Sequence, residues 1–185
     1  MLMLVTRSHP ELPSIVSAAI DGGVNVVQVR GDVDVSGICA VIGDRARVVV
    51  SSSRRRPAGR PGAVPAPLHG IHLTETAPFA NAPFVGRSVH SVDAAVRAEQ
   101  EGCDYVVAGS VFPTTSHPNG PIAGVKLIED IAKAVNIPVL AIGGINATNA
   151  RSCIDAGASG VAVISAIMDA KDPRTAAQEL WRAIA

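Results

Sequence analysis

Short apolar runs recur along the chain, and between most of them lies a stretch long enough for two or three helical turns. Leu2 to Thr6, Val24 to Arg30 and Arg47 to Ser51 read as the first three strands, with helices over Ser8 to Asp21 and Asp34 to Gly43 between them. Ser8 is placed to cap the first helix, Pro10 suits its opening turn, and Gly22-Gly23 stops it. Gly70 to Thr74 and Phe84 to Ser88 follow as strands four and five. Ser91 to Gly102 then reads as a helix, with Ser91 at its cap and Ala94, Ala95 and Ala98 on its apolar side. Tyr105 to Gly109, Pro138 to Gly144 and Gly160 to Ser165 complete the strands. Helices from about Val125 to Val135 and Thr148 to Ala156 separate them, and a last helix runs from Pro173 to Ile184.

The strands are apolar throughout instead of alternating, which is the pattern of a parallel sheet covered on both faces. Eight such units in alternation predict an α/β fold of one domain over residues 1–185: a closed (β/α)8 TIM barrel, because an open sheet would leave edges to protect. The chain is short for that fold, and the shortage falls in units three and four. Between Ser51 and Gly70 four prolines and two glycines interrupt the pattern, so a turn of helix at most is expected there. The connection from Ala77 to Pro83 is similarly abbreviated.

Composition narrows the function classes. The formal net charge is zero, so no global field recruits nucleic acid or an anionic membrane. No apolar run approaches the roughly 18 residues of a membrane span, and the opening residues are too short for a signal segment, so a soluble protein is expected. Cys39, Cys103 and Cys153 have neither metal nor redox spacing and each falls in an apolar, helical context; reduced thiols in a cytoplasmic protein are the simple reading.

In such a barrel the polar groups that do chemistry collect where the strands end. Gly143-Gly144 after strand seven and Ser165-Ala166 after strand eight would be neighbours there, able to hold a phosphate on main-chain N–H groups that a Cβ would otherwise keep away. The alternative is that the two glycines are only a tight turn. Arg30 ends strand two and is positioned either to pair with an anionic ligand or to form an ion pair with Asp32. Gln28, Ser88 and Thr114 are further candidate donors. The Arg54-Arg55-Arg56 run is either a solvated loop or a lid over an anionic ligand.

Several motifs together resemble one family. Phe112-Pro-Thr114, Ala141-Ile-Gly-Gly-Ile145, Ala156-Gly-Ala-Ser-Gly-Val-Ala-Val-Ile-Ser165 and Gly70-Ile-His-Leu73 are similar to the thiamine-phosphate synthase/TenI family, and Arg87-Ser-Val-His-Ser91 resembles its TenI branch. The likeness is dense from Gly70 to Met168, fainter from Leu2 to Arg30 and absent from Ser52 to His69. It implies a barrel that binds a thiazole phosphate at the glycine and serine loops. The synthase branch joins that thiazole to a pyrimidine diphosphate held by Mg²⁺, whereas TenI-like members aromatise the thiazole by a proton shift.

Departures from the family pattern separate the branches. Gln28 and Arg30 match the synthase's Gln-x-Arg-x-Lys, but Asp32 stands for the lysine; Ser51-Ser52 stands for Asn-Asp, and Thr74-Glu75-Thr76-Ala77 lacks the metal-binding aspartate. A multiply charged diphosphate needs carboxylate-bound Mg²⁺ or other cations to neutralise it. TenI-like tautomerases have a histidine where this chain has Ser110. The loop Pro113-Thr-Thr-Ser-His117 resembles the synthase's Pro-Thr-x-Thr-Lys, making His117 either the substitute acid/base or a solvated loop residue. His90 is the next candidate, while mid-strand His72 is expected to pack inside the barrel.

The favoured expectation is a TenI-like tautomerase with His117, His90 and Ser110 as catalytic candidates and Gln28, Arg30, Ser88, Thr114, Gly143, Gly144, Ser165 and Ala166 holding the substrate. The alternatives are the synthase and a non-catalytic phosphometabolite-binding barrel. No metal or cofactor is expected, Mg²⁺ entering only with the synthase. The expected partner is a small thiazole phosphate, with neither nucleic acid nor membrane, and a homo-oligomer is inferred from TenI-like relatives and the thin units three and four.

Overall fold

The computed structural model describes residues 1–52, 68–115 and 120–185. Eight parallel strands close on themselves in chain order: β1 (Leu2–Val5), β2 (Val26–Val29), β3 (Arg47–Ser51), β4 (Gly70–Leu73), β5 (Val85–Val89), β6 (Tyr105–Ala108), β7 (Val139–Ile142) and β8 (Gly160–Val163), with β8 pairing back onto β1. Most strands are buried on both faces because the barrel packs one face inward and helices cover the other; in β3 and β4 the outward Val50 and Ile71 are only half-buried. The expected (β/α)8 barrel is therefore what the chain forms.

The helices are α1 (Leu12–Asp21), α2 (Val35–Ile42), α3 (Val92–Gln100), α4 (Gly124–Ala134), α5 (Ala150–Asp155), α6 (Ser165–Met168) and α7 (Pro173–Ile184). Two helix starts are closed by side-chain caps, of which the first was read from the sequence. Ser91 accepts from the Ala94 N–H, and Asp172 accepts from the N–H groups of Arg174 and Thr175. The start of α1 is not closed in this way: it begins at Leu12, Pro13 occupies its first turn, and Ser8 instead donates to the Asp32 carbonyl. Pro13, five residues downstream, and a loop-to-loop bond outcompete the expected cap. Cys39 and Cys153 lie on helices, but Cys103 lies in the turn between α3 and β6; all three are buried free thiols, and burial raises their pKa.

Among the described residues no helix lies between β3 and β5. The anticipated helix-poor stretch of 51–69 lies mostly outside the described residues. Over Thr74 to Ala77 the outer wall is held by a side chain. Arg87 of β5 is only 4% exposed, and its Nη1 donates to the carbonyls of Thr74, Glu75 and Ala77 at 3.1, 3.0 and 2.7 Å. Its Nη2 meets Glu101, just past the end of α3, at 2.7 Å.

Inside the barrel, chemistry divides by arc. β1 and β6–β8 contribute Met3, Val5, Val107, Leu140 and Ala162, a continuous apolar lining. β2 to β5 carry the buried polar groups Gln28, Ser51 and His72, followed by half-buried Ser88. No helix in the described residues is long and apolar enough to cross a membrane.

Candidate functional site

A cavity of about 230 Å³ opens where the strands end. Arg30, immediately after β2, lines it with an exposed side chain, while its backbone is fixed to β1 through a reciprocal pair of bonds with the Thr6 hydroxyl at 3.0 and 3.3 Å. No ion pair among the described residues involves Arg30, so the alternative of a bridge to Asp32 is not realised. Gln28 lines the same cavity from one pleat deeper.

Across the mouth stand Gly143, Gly144 and Ser165, brought together because β7 and β8 are neighbours. The two glycines have φ of +104° and +64°. A Cβ on Gly143 would lie 2.7 Å from Ser110 Cα, and one on Gly144 would lie 2.2 Å from the Pro113 carbonyl oxygen. Glycine is thus required by left-handed backbone and by the β6 loop packed against it, before any ligand is considered. The tight turn that the sequence left as the alternative therefore accounts for both glycines by itself, and an anion on their N–H groups would be an additional use of it. Ser110, Thr114 and Ser88 also line the cavity; Ala166 does not, since it sits one residue into α6. His117 lies outside the described residues.

His90 reaches the mouth from the end of β5, with Nδ1 in contact with the Glu75 carboxylate. A carboxylate so placed orients an imidazole at the mouth of the cavity, as a positioned acid/base group requires. Glu75 is itself placed by Arg87, which holds the carbonyls on either side of it. The sequence reading found His90 but not this partner; the offset of fifteen residues is bridged only once β4 and β5 pair.

His72 does pack inside the barrel, as expected for a mid-strand position, yet it also borders the cavity. Its Nε2 lies 2.9 Å from Ser88 Oγ and its Nδ1 3.1 Å from the Tyr105 hydroxyl. Burial, with a smaller push from the Arg87 charge, lowers its pKa to about 4, so it is neutral at pH 7. Tyr105 carried no signal as a site residue in the sequence, because it opens a strand that otherwise reads as core.

The described residues contain no cluster of three or more His, Cys, Asp or Glu that could hold a metal ion. Glu75 is the acidic residue beside the mouth, and it is engaged by His90.

The family profile described as thiamine monophosphate synthase matches residues 63–167. A thiamine-phosphate synthase of Methanocella arvoryzae is 35% identical over 94% of this chain and 86% of its own length. One from Pyrococcus furiosus is 46% identical over 101 residues, covering 55% of this chain; that match spans about half, 49%, of the relative. The solved thiamine phosphate pyrophosphorylase from Pyrococcus furiosus superposes with a TM-score of 0.82 at 31% identity, over 98% of this chain and 94% of that one. These names fall on the synthase side of the family, whereas the sequence reading favoured the proton-shifting side.

Proposed function

The chain belongs to the thiamine monophosphate synthase family, and from that membership we propose that it joins a thiazole phosphate to a pyrimidine diphosphate, forming thiamine phosphate and releasing diphosphate. The observation that carries this reading is the gathering of Gln28, Arg30, Ser88, Gly143, Gly144 and Ser165 on one cavity in a chain whose full-length relatives are named for that reaction. The glycine loop and Ser165 take the phosphate ester through main-chain N–H groups. Arg30, opposite them, offers a planar fork to the diphosphate, and its freedom from internal ion pairs leaves that fork available. Gln28 and Ser88 address the rings.

Mg²⁺, which this reaction implies, prefers several hard oxygen ligands. The described residues do not provide them, as the isolated Glu75 and the serines at 51 and 52 make plain. No step is therefore drawn through a metal, and the charge of the diphosphate falls to Arg30. The same shortage, together with the His90–Glu75 pair, favours a second reading: a TenI-like proton shift on a thiazole phosphate, which needs a base and a held ring but no metal.

Incubating the protein with both substrates, with and without Mg²⁺, tests the first reading: thiamine phosphate should form in wild type and fall at least tenfold in Arg30→Ala. No condensation, but deuterium exchange into a thiazole carboxylate phosphate that His90→Ala abolishes, would replace it with the second. Binding of the thiazole phosphate with neither reaction would leave a carrier.

A further inference from the structure

One file of side chains runs through the barrel from its lower mouth to the cavity. The Arg47 guanidinium sits 4.1 Å from the centre of the Phe84 ring, and Phe84 stacks on Tyr105 at 4.9 Å. Tyr105 is fully buried, packed so closely over Gly86 that a Cβ there would fall 2.0 Å from its Cζ. Its hydroxyl meets His72, and His72 meets Ser88, which borders the cavity.

The hydrogens in this file can be placed by counting donors. A neutral imidazole carries one N–H and one lone pair. The Tyr105 hydroxyl has a single hydrogen-bond partner among the described residues, His72 Nδ1, and burial holds the phenol in its protonated form. If Nδ1 carried the imidazole proton, the phenol proton would be buried with no acceptor; if Tyr105 donates to Nδ1, both groups are satisfied. The imidazole proton then sits on Nε2 and is donated to Ser88 Oγ. Ser88 Oγ accepts from below with one lone pair, so its own O–H is not spent on His72 and remains for the cavity.

We infer that Tyr105 and His72 are positioning residues that fix the polarity of the Ser88 hydroxyl, so that the cavity presents an O–H donor there and selects a ligand bearing a lone-pair acceptor, either an unprotonated ring nitrogen or a carboxylate oxygen. The choice of thiazole ligands as probes rests on the function proposed above; the polarity itself does not. A serine free to turn would accept or donate indifferently. Were His72 Nε2 unprotonated, the serine O–H would be spent on it; the tautomer set by Tyr105 keeps that donor for the ligand.

The imidazole nitrogens of ¹⁵N-histidine-labelled protein test the polarity directly, with His72 assigned by its loss in His72→Gln. Wild type at pH 7 should show an unprotonated Nδ1 and a protonated Nε2; the reverse tautomer, or a charged ring, overturns the inference whatever the protein catalyses. Ser88→Ala and Tyr105→Phe should each weaken a thiazole phosphate by about 5- to 10-fold, the worth of one hydrogen bond, while leaving inorganic phosphate binding unchanged. Equal losses for both probes would mean a merely structural role and also overturn it. Comparing carboxylated with decarboxylated thiazole phosphate identifies the acceptor: a loss confined to the former assigns the carboxylate, a loss with both the ring nitrogen. Failure of wild type to bind any thiazole phosphate would remove the proposed function and leave the tautomer to be judged by its own spectrum.

Discussion

The two arcs of the barrel solve the same problem in different ways. From β6 round to β1 each strand is followed by a helix, the interior is apolar, and the cavity side is shaped by glycine loops whose packing admits no Cβ. From β3 to β5 no described helix covers the wall, the interior mixes the polar Ser51 and His72 with the apolar Val49, and single side chains do what helices do elsewhere: Arg87 ties down the outer loop and His72 bridges the inside. A helix spreads its contribution over many apolar contacts, so one substitution removes a part. A guanidinium holding three carbonyls concentrates it, and one substitution removes the whole.

The largest effect should therefore come from Arg87→Ala. Three carbonyls lose their donor and Glu101 its partner; at about 1 kcal/mol for each bond left unmade, the loss is about 3 kcal/mol. The exposed side of the Glu101 pair adds little. Urea denaturation measures the loss, and His90 should lose its orientation as Glu75 drifts. A change below about 1 kcal/mol would mean that water replaces the arginine at that wall, and the contrast between arcs would lapse.

Acid should find the second weakness of the polar arc. His72 drops from its ordinary 6.5 to about 4 in the fold, so on lowering the pH the unfolded chain takes up the proton first. The contribution of neutral His72 is complete above pH 6.5 and is lost progressively as the pH falls toward 4. A shift of that size corresponds to about 3 kcal/mol over the window. Stability measured against pH should slope there in wild type and flatten in His72→Gln, even though that variant starts less stable. Parallel slopes would show that His72 is not the group responsible.

The apolar arc was the part most legible from sequence. Its strands, helices and glycine turns lie within a few residues of one another, and the last helix, read from the sequence as Pro173 to Ile184, has those bounds because the signals that set them, Pro173 in its first turn among them, act locally; its Asp172 cap was not read. The order of strands around the barrel followed from the alternation alone. What escaped were contacts between units. Glu75 meets His90, Tyr105 meets His72, and Arg87 meets the β4 loop only through strand register, which no local pattern encodes. The Ser8 cap failed for the complementary reason: a good local signal was overridden by Asp32, a residue from the next unit. The tautomerase preference rested on the Arg87-Ser-Val-His-Ser91 motif and on substitutions at strand ends, whereas the relatives that match nearly the whole chain carry synthase names.

On the glycine side, Gly144→Ala should cost about 1–3 kcal/mol, since φ of +64° disfavours a side chain and the Pro113 carbonyl must yield. Its effect on inorganic phosphate binding, read by calorimetry, should exceed its effect on stability, because the loop moves as a unit. Stability lost with phosphate binding intact would mean that the loop serves packing alone.

The smallest change in stability belongs to Arg30→Ala. Its exposed side chain makes no ion pair among the described residues, and the backbone bonds that tie it to Thr6 survive truncation. The melting free energy should stay within about 0.5 kcal/mol of wild type, while affinity for a phosphate ester or diphosphate should fall about 10- to 100-fold, as expected when a charged donor is withdrawn from an anion. Arg87 and Arg30 are thus opposite uses of one residue type, on neighbouring parts of the same arc. One has nearly all its donors consumed by the protein and should matter to folding; the other keeps its fork for a ligand and should matter to binding. If Arg30→Ala lost stability but not affinity, its guanidinium would belong with that of Arg87, and the role of cation for the substrate would not be Arg30's.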